Sequence, residues 1–311
     1  MTTSQAPLFW YVLVTPARNE GKHLDDTIQA MLHQTVLPQK WVIVSDASTD
    51  NTDKIAKSYA AQHPFIEFVR REHGEGRNFG SKVYAIRAGL PCLSGLRYDF
   101  IGNLDADITL APDYFERLYH RFQAAPQLGI GGGVVYEDHE GKIIPQHNQV
   151  DLNVAGAVQL FRRACFEQIG GYHPLPRGGV DALADLMARM YGWEVRSFPE
   201  LIATHARLAG TEISGLSAAR IRQGQLDYSF GYHPLFELSK CVARVREKPY
   251  FTGSLLRLWG YVRSWLRREP VAIPAEASQW LRQEQLARLL PFLSPPARVA
   301  KPPVTEPELH E

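Results

Sequence analysis

The first 110 or so residues alternate between two hydrophobic periods, and that alternation restricts the fold more than any other feature of the chain. Short apolar runs rich in β-branched and aromatic residues occupy 9–14, 41–45, 65–69 and 100–104, each closed by a polar turn. Between them lie stretches of helical periodicity at about 24–34, 50–62 and 78–90, long enough to return the chain to a parallel neighbour. Continuously apolar strands separated by helices predict an α/β fold, with a mainly parallel sheet covered on both faces. Asp50, followed three residues later by Asp53, marks a helix start, and Gly89 a stop.

After about residue 110 the pattern changes. A helix is predicted near 112–124, then a strand at 130–136 and a turn at Glu140-Gly141, which together suggest antiparallel pairing. Residues 181–191 read as a helix and 193–198 as a strand. From about 212 the sequence is mostly helical and basic, and beyond Pro291 it becomes proline-rich. The expected division is an α/β domain over 1–211, a helical extension over 212–290 and a disordered tail over 291–311.

Composition narrows the function classes. With 45% hydrophobic and 22% charged residues the chain belongs to the globular class, and a net charge of +1 gives no pull toward nucleic acid. Cys92, Cys165 and Cys241 are odd in number and far apart, which reads as reduced thiols. The apolar run at 8–14 has no basic residue before it and no cleavage pattern after it, so it is expected to be a first core strand. No run approaches the roughly 20 apolar residues of a membrane span. The expectation is a cytoplasmic protein, or one peripheral on the cytosolic membrane face.

Ligands of parallel α/β sheets settle at the carboxyl ends of the strands, near the point where strand order reverses. Three polar loops follow predicted strands: Pro16-Ala17-Arg18-Asn19-Glu20, Ser45-Asp46-Ala47-Ser48-Thr49-Asp50 and Asp105-Ala106-Asp107. Turns favour Asp and Ser for purely structural reasons, so no single loop is specific. Asp105 and Asp107 are the sharpest pair. Two carboxylates one residue apart at a strand mouth can offer oxygen ligands to Mg²⁺ or Mn²⁺, with the remaining ligands from water and a substrate diphosphate. The structural alternative is a cap for the helix beginning near Pro112.

Taken together, the loops resemble the family-2 glycosyltransferases of the GT-A fold. The family's pattern of P-x-x-N-E, then D-x-S-x-D-x-T, then D-x-D is met by Pro16, Asn19 and Glu20, by Asp46, Ser48, Asp50 and Thr52, and by Asp105 and Asp107. The likeness continues through Arg77-Asn78-Phe79-Gly80, Phe161-Arg162-Arg163, Gly170-Gly171-Tyr172, Gly192-Trp193 and His205, so it spans about residues 8–210. The resemblance implies a nucleotide-sugar donor, an inverting transfer to a carbohydrate or lipid-linked acceptor, and Mn²⁺ or Mg²⁺ as cofactor. It implies that Asp46 meets the donor's base and Glu20 its nucleoside, with Pro16, Ala17 and Arg18 beside them, and that Arg77 faces the diphosphate. Asp107 would ligate the metal, His205 would complete its shell, and Asp105 would bond the ribose or a metal-bound water.

One departure concerns the base. Members of the family usually open a late helix with a Glu-Asp pair; here Ala182-Leu183 stands in its place, flanked by Asp181 and Asp185. These two lie i,i+4 on one helix face. Asp181, nearest the loop, is the expected catalytic base, its structural alternative being an N-terminal cap. Asp185 lies one turn deeper and is expected to pair with Arg189, four residues on. A sugar-nucleotide nucleotidyltransferase is a competing reading, but it needs a glycine-rich phosphate loop where Thr15-Pro16-Ala17-Arg18-Asn19-Glu20-Gly21 stands. A catalytically inactive carbohydrate-binding relative is a third.

In the basic extension, Leu255, Leu258, Trp259, Val262, Trp265 and Leu266 share one helix face, while Arg257, Ser264, Arg267 and Arg268 lie mostly off it. Such a stretch, 255–268, either lies in a membrane interface or packs its apolar stripe on the catalytic domain with the arginines solvated.

Overall fold

A computed structural model describes residues 9–72, 80–139, 142–145, 152–205, 215–290 and 292–299. They form two compact units, the first within 9–174 and 180–205, the second within 175–179 and 215–299. The expected turn at 140–141 and the end of the expected tail, 300–311, lie outside the described residues.

The first unit runs β1 (Tyr11–Ala17), α1 (Leu24–Leu32), β2 (Lys40–Asp46), α2 (Thr52–Gln62), β3 (Ile66–Arg71), α3 (Ser81–Gly89) and β4 (Phe100–Asn103). It continues with β5 (Ile108–Leu110), α4 (Tyr114–Ala124), β6 (Leu128–His139), β7 (Lys142–Pro145), β8 (Leu160–Arg162), α5 (Arg163–Ile169), α6 (Val180–Met190) and β9 (Glu194–His205). One sheet takes the order β3-β2-β1-β4-β8-β6-β9-β5, with β7 on β6. The strands β3, β2, β1 and β4 run parallel to one another, while β8 is antiparallel to both β4 and β6. Because β9 pairs parallel with β6, the strands β4, β6 and β9 all point the same way.

Residues of both parities along β1 and β2 are buried, which requires cover on both faces of the sheet. Trp41 is fully buried in β2, and its indole N–H donates to Thr15 Oγ1 of β1 at 2.8 Å, so the ring enters the core with its one polar atom satisfied. The core continues through Phe100, Tyr114, Leu118 and Phe122 to Leu160 and Phe198.

Strands β1 and β9 outrun their apolar runs, with consequences for the site. Pro16 and Ala17 belong to β1 itself rather than to the loop after it. Proline is tolerated there because pairing with β4 ends at Val14↔Asn103, so Pro16 lies beyond the last residue that β4 covers. The strand expected at 193–198 extends to His205, past an irregularity where the partners of Gly133 and Val134 jump from Phe198 to Ile202.

Among its described residues the second unit holds four helices: α7 (Leu216–Ser229), α8 (Pro234–Ala243), α9 (Thr252–Leu266) and α10 (Ala275–Leu289). Within this unit the apolar stripe of 255–268 is not the inward face. Helix α9 buries Gly253, Arg257, Gly260, Tyr261 and Ser264, and leaves Leu255, Trp259, Trp265 and Leu266 exposed. Two glycines explain the inversion. A Cβ on Gly224 would lie 1.8 Å from the Arg257 carbonyl oxygen, and one on Gly260 would lie 2.1 Å from that of Ile221, so α7 and α9 meet backbone to backbone. Arg257 turns inward to Asp227 of α7 and to Glu237 of α8, the latter at 3.1 Å, and Lys240 meets Asp227 at 3.1 Å. Among the described residues no helix is long and apolar enough to cross a membrane.

Candidate active site

The strand order reverses at β1, which has β2 on one side and β4 on the other, and the candidate residues collect at the carboxyl ends of these strands. The loops after β1 and β2 are laced together. Asn19 N–H donates to Ser48 Oγ at 3.1 Å, Thr49 N–H to Asn19 Oδ1 at 2.8 Å, Glu20 N–H to Thr52 Oγ1 at 2.8 Å, and Gly21 N–H to Asp50 Oδ2 at 2.9 Å. Asn19 and Ala47 hold positive φ of 58° and 51°, an uncommon conformation; the Asn19 bonds hold the first, and the Ala47 N–H on Arg71 O at 2.9 Å ties down the second. Burial pushes the Asp50 carboxyl up, but the hydroxyl and amide of Thr52 and the amide of Gly21 outweigh it and hold the pKa below its ordinary value. Most of the polar residues in the two motifs therefore build the loops.

Asp46 is different. It closes β2 in register with Arg71 of β3, whose Nη1 lies 2.6 Å from Asp46 Oδ1, and Arg18 Nη1 lies 3.8 Å from Oδ2. Buried to 3% exposure between two guanidiniums, Asp46 keeps acceptor capacity for one more donor. Arg71 was not singled out from sequence; the apolar run ends at Val69, and only the strand's continuation to Arg71 sets it beside Asp46. Arg77 lies outside the described residues.

A second cluster joins the end of β4 to the start of α6. Asp105 Oδ1 accepts from Lys82 Nζ at 2.6 Å and from Asn103 Nδ2 at 3.0 Å. Lys82 and Asn103 both also donate to the Gly156 carbonyl, and Gly156 N–H donates to Asp181 Oδ2 at 3.2 Å. Position 156 requires glycine: a Cβ there would lie 2.9 Å from the Asp181 carboxylate. The segment ahead of β8 is sewn to β4 as well, with Asp105 N–H on Ala157 O at 2.9 Å and Asn103 N–H on Gln159 O at 2.9 Å. Asp105 and Asp181, distant in sequence, thus share one small network. Lys82 and Asn103 were likewise missed, because a lysine in the first turn of a helix and an asparagine ending a strand carry no signal alone.

Asp185 is 1% exposed, accepting from Val154 N–H at 3.0 Å and Gln159 Nε2 at 2.9 Å, while Arg189 donates to the Leu152 carbonyl at 2.9 Å. Burial drives its pKa up, with the nearby charge of Asp181 in the same direction, against the opposing hydrogen bonds and Arg189. Asp181 is only half-buried.

The third feature pairs Asp107 with His205. Asp107 precedes β5, His205 ends β9, and the β5–β9 register sets His205 opposite Ile108. His205 Nε2 lies 3.1 Å from Asp107 Oδ2. As β9 runs in the same direction as β4, this pair sits at the same end of the sheet as Asp46 and Asp105. Among the described residues no group of three or more His, Cys, Asp or Glu is gathered as a ready-made metal cage.

The model of glycosyl transferase family 2 matches residues 12–178, which takes in the loops after β1, β2 and β4 and the Gly156 segment. The chain belongs to this family. The match sets aside the nucleotidyltransferase reading. Family-2 relatives include the 4,4'-diaponeurosporenoate glycosyltransferase of Staphylococcus aureus, 30% identical over 38% of this chain and 29% of that one. The poly-beta-1,6-N-acetyl-D-glucosamine synthase of Staphylococcus epidermidis is 23% identical over 67% of this chain and 52% of that one. The chain therefore spans about half or less of the length of these curated relatives. Among solved structures, the mannosyltransferase PcManGT of Pyrobaculum calidifontis, in complex with GDP-Man and Mn²⁺, aligns with a TM-score of 0.53 at 18% identity, covering 93% of this chain and 84% of that one. TarS 1-349 of S. aureus aligns with a TM-score of 0.50 at 12% identity, covering 91% and 81%. At these identities the likeness is one of fold, the GT-A glycosyltransferase fold.

Proposed function

We propose that this family-2 chain moves a sugar from a nucleotide-diphosphate-sugar onto a carbohydrate or lipid-linked acceptor, with a divalent cation and with inversion at the transferred carbon. The observation that carries the reading is the contact of Asp107 with His205 at the strand end that also holds Asp46 and Asp105. A carboxylate and an imidazole fit a Mn²⁺ or Mg²⁺ ion that takes its other ligands from water and from donor phosphates. Bound there, the ion supplies charge neutralisation for the departing nucleoside diphosphate.

The chain's own groups divide the remaining work. Asp46, fixed by Arg71 and Arg18, accepts from the donor's base, and Pro16, Ala17 and Glu20 border the nucleoside. Lys82 holds Asp105, which bonds the ribose or a metal-bound water, and adds a positive charge to the site. Asp181 takes the proton of the acceptor hydroxyl, for which its half-buried position at the first turn of α6 suits it better than the sealed Asp185.

Thermal shift and turnover test the reading together. The EDTA-treated protein should gain melting temperature from a nucleoside diphosphate only when Mn²⁺ is added, because binding to the native state raises stability. Asp107→Ala should lose that gain and all detectable transfer. Full activity of Asp107→Ala in EDTA would remove the metal from the mechanism.

A further inference from the structure

Helix α9 turns its hydrophobic face outward. Phe251, Leu255, Trp259, Trp265 and Leu266 are each 52–67% exposed, although two are tryptophans and all five fall within about 120° of arc at 100° per residue. At 1.5 Å per residue the stripe from Phe251 to Leu266 is about 22 Å long. It cannot roll inward, because the opposite face is fixed by the glycine contacts with α7 and by the ion pairs of Arg257.

Charge at the two ends says what the stripe meets. Arg246 and Lys248 are exposed before the helix, Arg267 and Arg268 after it. The two carboxylates nearby are already engaged, Glu247 with Arg220 at 3.2 Å and Glu269 with Arg177 at 2.8 Å. The result is an apolar, tryptophan-bearing stripe with a cationic group at each end. A second copy of the same stripe fits badly: parallel or antiparallel, every pairing sets cations against cations. An anionic bilayer surface fits, since the rings and leucines enter the headgroup boundary while the end cations meet lipid phosphates.

We propose that α9 is a peripheral docking surface for anionic membranes. The proposal is independent of the metal and donor assignments above. The test uses the full chain with vesicles of phosphatidylcholine, either alone or with about a third phosphatidylglycerol, read by co-flotation and by tryptophan emission. Binding and a blue shift are expected with the anionic vesicles, weakening as salt rises. Trp259→Ser with Trp265→Ser should lower binding by about tenfold or more, and Arg267→Ala with Arg268→Ala by about fivefold per cation removed. All these side chains are exposed, so melting temperature and nucleotide binding should hold, which separates failure here from failure of the functional reading. Failure to bind either vesicle, equal binding to both, or undiminished binding by the tryptophan variant would each overturn the proposal. So would a concentration-dependent dimer that the same variant abolishes, which would give the face to a second copy.

Discussion

The sheet's end and the interior of the helical unit both set carboxylates against cations, yet water reaches them differently. Lys82, Asp105, Arg18 and Arg71 keep 23–33% of their side chains exposed, although Asp46 between the two arginines keeps only 4%. Asp227, Arg257 and Glu237 keep 0–8%. A partly open pair can exchange its partner for a ligand at small cost, whereas a sealed pair cannot be opened without stranding a buried charge. Similar residue types therefore stay open to exchange in one unit and form a sealed frame in the other.

Four variants sharpen or break this contrast. The largest effect is expected at the open cluster, where Asp181→Asn should lose roughly 10²–10⁴-fold in turnover with donor affinity nearly unchanged, as steady-state kinetics and direct nucleotide titration would show. Next comes the sealed cluster: Arg257→Met leaves Glu237 buried without its cation and Asp227 with Lys240 alone, and should cost about 3–5 kcal/mol in denaturant unfolding. Wild-type stability in that variant would end the comparison. Third, Asp185→Asn meets N–H donors on both sides, so its own amide must face one of them. It should cost about 1–3 kcal/mol and leave turnover per folded molecule intact; a turnover collapse at the wild-type melting temperature would transfer the base role to it.

The smallest effect is a slope with pH. Burial, and then the charge of Asp227, raise the Glu237 carboxyl from 4.5 to about 7. A carboxyl with a raised folded-state pKa binds its proton more tightly in the native state. Its stabilising contribution is therefore full below about pH 4.5 and is lost as pH rises through 7. Glu237→Gln should flatten the fall in stability over that window, by about 1 kcal/mol per pH unit. An identical slope in both proteins, from melts at several pH values, would assign the pH dependence elsewhere.

Periodicity located β1–β4, β6, β9, α1–α4 and α6 of the first unit, each decided by its own residues, but not the short β5, β7, β8 and α5. It was blind where a partner from afar decides. Pro16 and Ala17 read as loop because proline argues against a strand, and only the early end of β4 pairing admits them. Lys82, Asn103 and Gly156 acquire meaning together, across as many as 74 positions, and none carries a signal alone. Among the site residues, those bearing carboxylates were legible and their cationic partners mostly were not: Arg71 follows the apolar run that marked its strand, and Lys82 sits in an ordinary helix. The stripe on α9 misled most. Hydrophobicity favours burying Trp259 and Trp265, but Gly224 and Gly260 permit a closer helix contact on the opposite face, and Asp227 and Glu237 draw Arg257 to that face.

The lacing of the loops after β1 and β2 also bears on how the chain can vary by descent. Asn19, Ser48, Asp50 and Thr52 find their partners 29–32 positions away, so a change at one is not repaired by its neighbours. Losses there should not add: once Asn19 is replaced, replacing Ser48 removes a contact already weakened. The four positions behave as one heritable character.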